Sequence, residues 1–527
     1  MKRLTYGLTL MVISFLFTHC TTYDLLIKDG TVYDGTLNVP QQQDIVVQGD
    51  EIVKIKSKIK AKAKRIIHAE NLVIAPGFID VHAHLEPLPL MPDAESHIRQ
   101  GVTTALGGPD GGSPLRIGAY LDSLEKTGVG LNIAHLIGHN TIRTHVLGLV
   151  DRPPTSEELA QMQELVSKAM QEGAFGISTG LKYLPGAYAE LDEIVALAKV
   201  TAQQNGIYTS HLREEGRGLL EAVEEAINIA AQADIRVVLT HHKAMGKPMW
   251  GTSEQTLAMV DEARAKGLDI RLDQYPYAAS QTGISVLIPA WSMEGGRYDA
   301  FAKRCENPIL RDSIKRGIMD ILLNDRVGKD ISRVQFAGFN WKPELEGKTL
   351  KDWAIQEGLE PTLENAADLV IEAQLHLGAR CIYHVMEEAD VRRIMQHPQT
   401  MIASDGRLSR LDKGHPHPRA YSTFPRVLGH YVREEKVLSM EQAIHKMTAL
   451  PASCLDLKDR GQLRKGYKAD ITIFNPITVK DKGDFIRPHQ YPEGIEYVII
   501  NGEITVDKGV FRFVRSGKIL RKHENLN

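Results

Sequence analysis

The sequence predicts an α/β fold, a TIM-like (β/α)8 barrel with a small β-sandwich domain built from both chain ends. The middle of the chain alternates short apolar strands with long amphipathic segments, which is the pattern of parallel βα units. Eight such strands can be recognised, and eight βα units close into a barrel. Both chain ends instead alternate apolar and polar residues between Asp-Gly and Gly-Asp turns, as antiparallel strands do.

The first 20 residues are predicted to be an export signal of the lipoprotein type. "MKR" gives a basic start, and "LTLMVISFLF" gives an apolar run that is too short to span a membrane. Cys20 would become the lipid-modified N-terminus of an exported protein, which would be periplasmic or anchored to the membrane. Phe17 and His19 depart from the small residues usual before such a cysteine, so an unprocessed hydrophobic start is the alternative.

The two strand-rich ends, residues 24–75 and 456–520, are predicted to form one composite β-domain. The barrel is predicted to occupy residues 76–455, and a long gap between its seventh and eighth strands predicts an insertion over residues 281–395 that covers the substrate. The eight barrel strands are expected in the segments FIDVHAH, GVTTALGG, LNIAHLIGH, AFGISTGLK, GIYTSH, RVVLTHH, DIRLDQYPY and TMIASDG.

The overall composition excludes several classes of protein. The chain has 527 residues, 43% of them hydrophobic, and a net charge of −3 with both signs present. Because there is no basic excess, nucleic acid is not expected as a partner. The other three cysteines are scattered along the chain and imply neither a disulfide framework nor a Cys-x-x-Cys zinc site. The sequence does not indicate an oligomeric state.

The first barrel strand, in "GFIDVHAHLEP", ends in two histidines that are two residues apart. Side chains two apart on a strand point the same way, so His82 and His84 should share the interior face at the C-terminal mouth of the barrel. Two neutral imidazoles form a good half-site for a divalent metal such as zinc. Alone, the pair is equally compatible with buried, hydrogen-bonded histidines.

Three other predicted strands end in residues that can complete this site. His211, His241 and Asp405 are each the last residue of an apolar strand, so we predict that they converge with the histidine pair around a metal. Asp405 is placed to hydrogen-bond a metal-bound water. His242 has the opposite parity to His241 and is expected to face the barrel wall.

These residues resemble the metal-binding set of the amidohydrolase superfamily. "GQLRKGYKAD" (Gly461–Asp470) resembles a motif of the composite β-domain found in many members. More narrowly, GFIDVHAH, GISTGLKYLPG, YTSHLREEG, THHKAMG, SDG and HPRAYSTFPRVLG resemble the N-acyl-D-amino-acid deacylases, or D-aminoacylases. The resemblance implies hydrolysis of the amide bond of N-acyl-D-amino acids, or of D-dipeptide-like substrates, with one or two zinc ions as the cofactor.

The chain departs from the deacylase pattern at the residue that joins the metals. Typical members carry "GNCG" with a metal-binding cysteine, whereas this chain has "GPDG", with Asp110 in the cysteine's place. Lys182 stands where those enzymes usually carry an apolar residue, and other branches of the superfamily use a carboxylated lysine as the bridge. We therefore hypothesise that a carboxylated Lys182 bridges two zinc ions, with Asp110 as a neighbour or alternative ligand. The competing interpretation is a simple Lys182–Asp110 salt bridge.

The resemblance also implies a mechanism and a small-molecule substrate that carries a carboxylate. Zinc lowers the pKa of water toward about 7, and Asp405 would take the proton and return it to the leaving amine. The substrate carboxylate would be bound by Tyr183, Lys243, Tyr275 and Arg419, although each of these alone is equally compatible with a structural contact.

Two other functions compete with this interpretation. The Lys182 hypothesis lends weight to a cyclic-amide hydrolase of the dihydroorotase or hydantoinase type. A metal-free, inactive surface binding protein is an alternative of another class. The complete set of His82, His84, His211, His241 and Asp405 argues against it.

Overall fold

The first strands of the chain form half of a β-sheet. The computed structural model describes residues 22–525, so the predicted signal segment with Cys20 lies outside the described residues. In chain order, the first five strands are β1 (Thr22–Val32), β2 (Gln41–Gln48), β3 (Glu51–Lys56), β4 (Lys62–His68) and β5 (Val73–Pro76). β1 pairs antiparallel with β2 and parallel with β4 and β5.

A series of βα units follows. Its strands are β6 (Phe78–Asp80), β7 (Ala83–His84), β8 (Val102–Gly107), β9 (Asn132–His135), β10 (Ile137–Gly138), β11 (Gly176–Gly180), β12 (Ile207–His211), β13 (Val237–Leu239) and β14 (Ile270–Gln274). Its helices are α1 (Glu95–Ile98), α2 (Ile117–Thr127), α3 (His139–Val146), α4 (Ser156–Gln171), α5 (Leu191–Ala202), α6 (Leu219–Ala233) and α7 (Ser253–Ala265). Most residues of these strands are buried, as expected for parallel strands that helices cover.

The predicted insertion folds around its own antiparallel sheet and apolar core. Its strands are β15 (Ser280–Gly283), β16 (Val334–Gly338) and β17 (Arg380–Tyr383), with β17 in the middle. Its helices are α8 (Asp299–Cys305), α9 (Pro308–Asp320), which continues as a π-helix over Ile321–Arg326, α10 (Leu350–Gln356), α11 (Leu363–Leu375) and α12 (Glu388–Gln396). Phe336, Phe339 and Trp353 pack together in the core of the insertion.

The chain then completes the series and returns to the first sheet. The strands are β18 (Thr400–Ile402), β19 (Gly406–Arg407), β20 (Ile471–Phe474), β21 (Ile495–Ile500), β22 (Glu503–Asp507) and β23 (Val510–Phe511). The helices are α13 (Arg419–Arg426), with a π-helical continuation over Val427–Glu434, α14 (Met440–Met447) and α15 (Ala449–Cys454). Short 3₁₀ segments lie at Gly186–Tyr188, Lys247–Met249, Ile284–Leu287, Ala290–Met293, Ile331–Arg333, Pro343–Leu345 and Lys522–Asn525.

The parallel strands lie in chain order, which confirms the α/β prediction. One sheet has the order β6-β8-β9 and another the order β10-β11-β12-β13-β14-β18. Only Leu136 separates β9 from β10. The last strand returns to the first, because Asp405 N donates to His82 O at 2.9 Å and β19 pairs parallel with β7.

Both chain ends contribute to one β-sheet, as predicted. These strands form one hydrogen-bonded sheet of nine strands, with the path β23-β22-β21-β20-β5-β1-β2-β3 and β4 on β1. β20 pairs antiparallel with β5, so the ladder runs on from one chain end to the other. Residues 517–520, at the end of the predicted β-domain, hydrogen-bond to β9 and to Val129 before it.

Within residues 22–525, no helix is both long and apolar enough to cross a membrane.

Candidate metal centre

The ends of the parallel strands bring the predicted metal ligands to one place. His84 ends β7 and His211 ends β12, whereas His241 and Asp405 lie two and three residues beyond β13 and β18. Asp110, His241 and Asp405 have φ values of 56°, 37° and 47°, a region that residues other than glycine rarely adopt. Strained backbone of this kind persists where surrounding contacts fix it, and it is typical of functional sites.

Two groups of side chains are spaced to hold a metal ion, and they have one residue in common. In each group the candidate ligand atoms lie within 4.8 Å of one another. The first group is His82, His84, Asp110 and Asp405, and the second is Asp110, His211 and His241.

The first group has the spacing of a coordination sphere. His84 Nε2 lies 3.2 Å from Asp405 Oδ1 and 3.5 Å from Asp110 Oδ2. His82 Nε2 lies 3.5 Å from Asp110 Oδ1 and 3.6 Å from Asp405 Oδ1. Ligand atoms at zinc distances in a tetrahedron are about 3.4 Å apart. Most of these separations are longer than a usual N–H···O hydrogen bond, and all of them fit ligands that share a cation.

The second group lies on the other side of Asp110. Asp110 Oδ1 is 3.4 Å from His241 Nε2 and 3.6 Å from His211 Nδ1. The two imidazoles approach each other to 2.7 Å, between His241 Nε2 and His211 Nδ1. Asp110 is therefore the residue that can serve both metal positions.

Unpartnered buried atoms support a metal at this site. Both ring nitrogens of His82 and Oδ1 of Asp110 are buried without a hydrogen-bond partner. Buried polar atoms are rarely left unpaired, because desolvation then goes uncompensated. Imidazole nitrogens and carboxylate oxygens are ligands that zinc accepts. The residues present thus fit a divalent metal.

The hypothesis that Lys182 bridges the metals does not match the geometry. Lys182 Nζ donates to Glu214 Oε1 at 2.6 Å, so the lysine points to a carboxylate outside both groups. The alternative Lys182–Asp110 salt bridge is also not found. The shared position belongs to Asp110, which was considered only as a neighbour or alternative ligand.

Two carboxylates outside the predicted set support the metal ligands. Asp273 Oδ1 accepts from His241 N at 2.6 Å, and its Oδ2 lies 3.7 Å from His82 Nδ1. Glu215 Oε1 lies 3.0 Å from His241 Nδ1, and its Oε2 lies 3.6 Å from His211 Nε2. Carboxylates behind metal-binding histidines orient the rings and raise their basicity. In the sequence, Asp273 was detectable as an acidic residue near a strand end and Glu215 as the residue four after His211.

A buried aspartate fixes the loop that carries Asp405. Asp80 Oδ1 accepts from the backbone N–H of His82 at 3.2 Å and of Ser404 at 2.9 Å, and Asp80 Oδ2 accepts from the Ser404 hydroxyl. Burial raises the pKa of Asp80 to about 6 against these hydrogen bonds. Asp80 thus connects the beginning and the end of the parallel-strand series directly beneath the site.

The site is strongly charged and largely shielded from solvent. Burial would lower the pKa of His82, but Asp110 and Asp273 raise it to about 10. Burial would raise the pKa of Asp405, but Arg419, whose Nη1 is 2.9 Å from Asp405 Oδ2, and His82 hold it below its ordinary value. Protons therefore compete with a metal for the imidazoles, while Asp405 stays ionised.

The four predicted substrate-binding residues line one cavity with the metal groups. This cavity of about 290 Å³ also reaches the insertion. Lys243 Nζ contacts Glu215 and lies 2.7 Å from His241 Nδ1, whereas Tyr183 Oη lies 3.0 Å from Thr282 Oγ1.

The Tyr275 side chain differs from the expected phenolic donor. Its hydroxyl is directed at the Met386 sulfur, at 4.0 Å, and its ring face lies 4.5 Å below the Arg419 guanidinium. His242 Nε2 contacts Thr256 Oγ1 at 2.8 Å, outside both metal groups, as its parity predicted.

Comparison with known proteins places this site in a family context. A model of the amidohydrolase family matches residues 65–305 and 330–506. D-aminoacylase from Alcaligenes xylosoxydans xylosoxydans is 35% identical, over 95% of this chain and 98% of its own.

Two solved structures are also similar along nearly the whole chain. A D-aminoacylase studied for the role of its binuclear metal centre has a TM-score of 0.82 and 33% identity, covering 95% of this chain and all of its own. N-acyl-D-glutamate deacylase from Bordetella bronchiseptica, solved with zinc and a phosphonate mimic of the tetrahedral intermediate, has a TM-score of 0.80 and 31% identity over the same shares.

Proposed function

The chain belongs to the D-aminoacylase family of amidohydrolases, and on that basis we propose that it hydrolyses N-acyl-D-amino acids. It is a metal-dependent hydrolase of a carbon–nitrogen amide bond that is not a peptide bond, and its products are a carboxylate and a free D-amino acid. The observation that carries this assignment is the pair of metal-binding groups that share Asp110 at one end of the cavity.

Zinc is the cofactor that the donor set and the related structure with zinc support. His82, His84, Asp110 and Asp405 would hold one ion, and Asp110 with the two later histidines would hold another. When bound, zinc lowers the pKa of water and polarises the amide carbonyl.

Asp405 is the residue best placed to move the proton. Because its neighbours keep it ionised at neutral pH, it can accept the proton of the attacking water. The same carboxyl then donates that proton to the nitrogen of the leaving amine. Arg419 contacts the other oxygen of Asp405 and so fixes the orientation of the carboxylate.

The α-carboxylate of the substrate fits the cationic wall beside Asp405. Arg419 can form a forked contact with a carboxylate, and Lys243 adds a point charge. Tyr183, whose ring packs on His211 at a centroid distance of 4.5 Å, offers a hydroxyl from the segment that follows β11. Tyr275 contributes by supporting the Arg419 guanidinium with its ring face.

Metal analysis of three proteins tests the assignment of the shared ligand. We expect two zinc ions per chain at saturation in the wild type and in Lys182→Ala. In Asp110→Ala, which removes a ligand from both groups, we expect at most one weakly held ion. Loss of metal from Lys182→Ala, with retention in Asp110→Ala, would restore the lysine bridge.

A substrate panel tests the activity. The zinc-loaded enzyme should hydrolyse N-acetyl-D-amino acids and discriminate against their L-enantiomers, dihydroorotate and hydantoins. Hydrolysis of the cyclic amides alone would overturn the assignment. The Lys182–Glu214 pair removes the observation that had favoured a cyclic-amide hydrolase.

We further propose that the parallel strands form a closed TIM-type barrel and that the protein is exported as a lipoprotein. The Asp405–His82 hydrogen bond between the last and first strands supports closure, and the N-terminal sequence up to Cys20 supports export. Fractionation of cells that produce the wild type or Cys20→Ser tests the anchor. The wild type should partition with membranes and the variant should not, whereas identical soluble fractions would exclude lipidation.

A further inference from the structure

One of the basic side chains that line the cavity with the metal groups has no carboxylate partner in the part of the chain that the structure describes. Six lysine and arginine side chains line it, namely Lys182, Lys243, Arg326, Arg380, Arg407 and Arg419. All of these except Arg380 have a carboxylate within 4.0 Å. The pairs are Lys182–Glu214, Lys243–Glu215, Arg326–Asp325, Arg407–Glu86 and Arg419–Asp405. Among residues 22–525, no ion pair or hydrogen bond is found for the Arg380 guanidinium.

Arg380 comes from the insertion and has a defined place in its sheet. It is the first residue of β17, opposite Gly283 on β15 and Gly338 on β16. A Cβ atom added to Gly338 would lie 2.7 Å from Arg380 Nη2 and 2.9 Å from Nε. The guanidinium therefore packs directly on the backbone at Gly338, and a glycine there leaves room for it.

The surroundings of Arg380 favour an anion. Partial burial of the guanidinium at the mouth of the cavity, then the charge of Arg407, lower the pKa of Arg380, and the charge of Glu346 offsets this only in part. Arg407 is itself paired with Glu86, 2.6 Å away, so Glu86 is already engaged. An additional carboxylate beside Arg380 would relieve the repulsion between the two guanidinium groups.

Arg419, and not Arg380, is the arginine placed to receive the α-carboxylate of the substrate. That carboxylate is attached to the carbon next to the scissile nitrogen, so it must lie close to Asp405, where Arg419 is 2.9 Å away. Arg380 makes no contact with either metal-binding group and is exposed at the mouth of the cavity. It therefore faces a part of the substrate farther from the amide bond.

We propose that Arg380 binds a second carboxylate of the substrate, so that the preferred N-acyl-D-amino acids are dianionic. This inference rests on the proposed function and specifies its substrate class. The planar guanidinium suits forked recognition of a carboxylate. The second carboxylate can belong to the amino-acid side chain, as in D-glutamate or D-aspartate derivatives, or to the far end of the acyl group, as in N-succinyl derivatives.

Two pairs of substrates distinguish these sources. One pair is N-acetyl-D-glutamate and N-acetyl-D-glutamine, and the other is N-succinyl-D-leucine and N-butyryl-D-leucine. In at least one pair, the zinc-loaded wild type should show a higher kcat/KM for the dianionic member. In Arg380→Gln that preference should fall by about 10- to 100-fold, while kcat/KM for the neutral member stays unchanged.

Two further variants show whether the position of the guanidinium matters. Gly338→Ala should displace Arg380 and reduce the same preference, because its Cβ would occupy the space of the guanidinium. Arg316→Ala removes an exposed arginine of the same insertion that pairs with Asp312 on the surface, and it should leave the preference intact.

The outcomes separate this inference from the proposed function. Hydrolysis of neutral N-acyl-D-amino acids without a dianionic preference in either pair, or with a preference that Arg380→Gln retains, would refute the role of Arg380 alone. If no N-acyl-D-amino acid is hydrolysed, the proposed function fails.

In that case, equilibrium binding of the same two pairs of compounds to the wild type and to Arg380→Gln decides whether Arg380 binds a second carboxylate. The inference is supported if the wild type binds the dianionic member of either pair more tightly and Arg380→Gln loses that preference. It is overturned if the wild type binds both members of each pair equally, or if Arg380→Gln keeps the preference.

Discussion

Asp405 combines a strained backbone, an arginine partner and a place beside His84, and it is the residue on which the chemistry depends most directly. In Asp405→Asn we expect kcat to fall by about 10²- to 10⁴-fold, because an amide cannot accept the proton of the attacking water. Steady-state kinetics with N-acetyl-D-amino acids gives the result, and metal analysis shows whether zinc is retained. A variant with full metal content and near-normal kcat would exclude Asp405 as the base.

Asp273 should affect metal binding without touching the substrate. Its two oxygens engage the backbone of His241 and approach the ring of His82, so Asp273→Asn should weaken zinc binding by about 10- to 100-fold. Zinc competition with a chelator measures this. Asp269→Asn is the matched control. Asp269 lies directly before the first residue of β14, away from the metal groups, and it pairs with arginines there. Equal affinities in the two variants would contradict the assignment.

The main candidate metal ligands were predictable from the sequence, because side chains at the ends of neighbouring parallel strands lie close together. His82, His84, His211, His241 and Asp405 followed from that rule. Asp273 and Glu215 left only weak signals in the sequence, because tertiary contacts determine which carboxylate lies behind a histidine. The partner of Lys182 was not predictable, because only the structure shows that its ammonium group donates to Glu214.

At the scale of elements, α14 is attached to the parallel strands by a buried lysine. Lys446 Nζ donates to the carbonyls of His397 and Thr400, the latter at 3.0 Å. Burial lowers the pKa of Lys446 from its ordinary value of 10.5 to about 8. Between these values the unfolded state binds more protons, so the free energy of unfolding rises with pH.

The expected size of this effect is about 2 to 3 kcal/mol across the window from pH 8 to pH 10.5. Lys446→Met lacks the titrating group, so the Tm of the wild type minus that of the variant should increase between pH 8 and pH 10. Thermal unfolding followed by circular dichroism at both pH values measures the difference. A difference that is constant with pH would show that the lysine is not desolvated in the folded protein.

The insertion shows where prediction of elements from sequence ends. Its position between β14 and β18 was predictable, because the gap is longer than a crossover helix needs. Its antiparallel sheet was not, because β15, β16 and β17 are far apart in the chain and no short hairpin turn joins them. Arg380 and Arg326 therefore reach the cavity by contacts that sequence periodicity does not encode.

On the scale of the whole molecule, the two chain ends and the parallel strands meet at one buried aspartate. Asp470, the last residue of the "GQLRKGYKAD" motif, pairs with Arg460 and accepts from Asn132 on β9 at 3.0 Å and from the backbone of Asn501 at 2.8 Å. The motif thus joins the composite sheet to the parallel strands.

Removal of this carboxylate should destabilise the molecule. Asp470→Ala removes the buried partner of Arg460 and leaves it only the partly exposed Asp459, so a loss of about 3 kcal/mol is expected, with a lower Tm in differential scanning calorimetry. Asp459→Ala, which removes a partly exposed partner of the same arginine, should have a much smaller effect. Similar Tm values for both variants would mean that Asp470 does not hold the two parts together.

Activity during zinc titration of the metal-free protein tests most directly whether side chains from the far-separated strand ends assemble one catalytic metal site. Hydrolysis of an N-acetyl-D-amino acid should be absent without metal and should appear in proportion to zinc up to the first equivalent or two, while His82→Ala and His241→Ala stay inactive or require far more zinc. Full hydrolysis by the stripped protein, or unchanged zinc activation in those variants, would contradict the account.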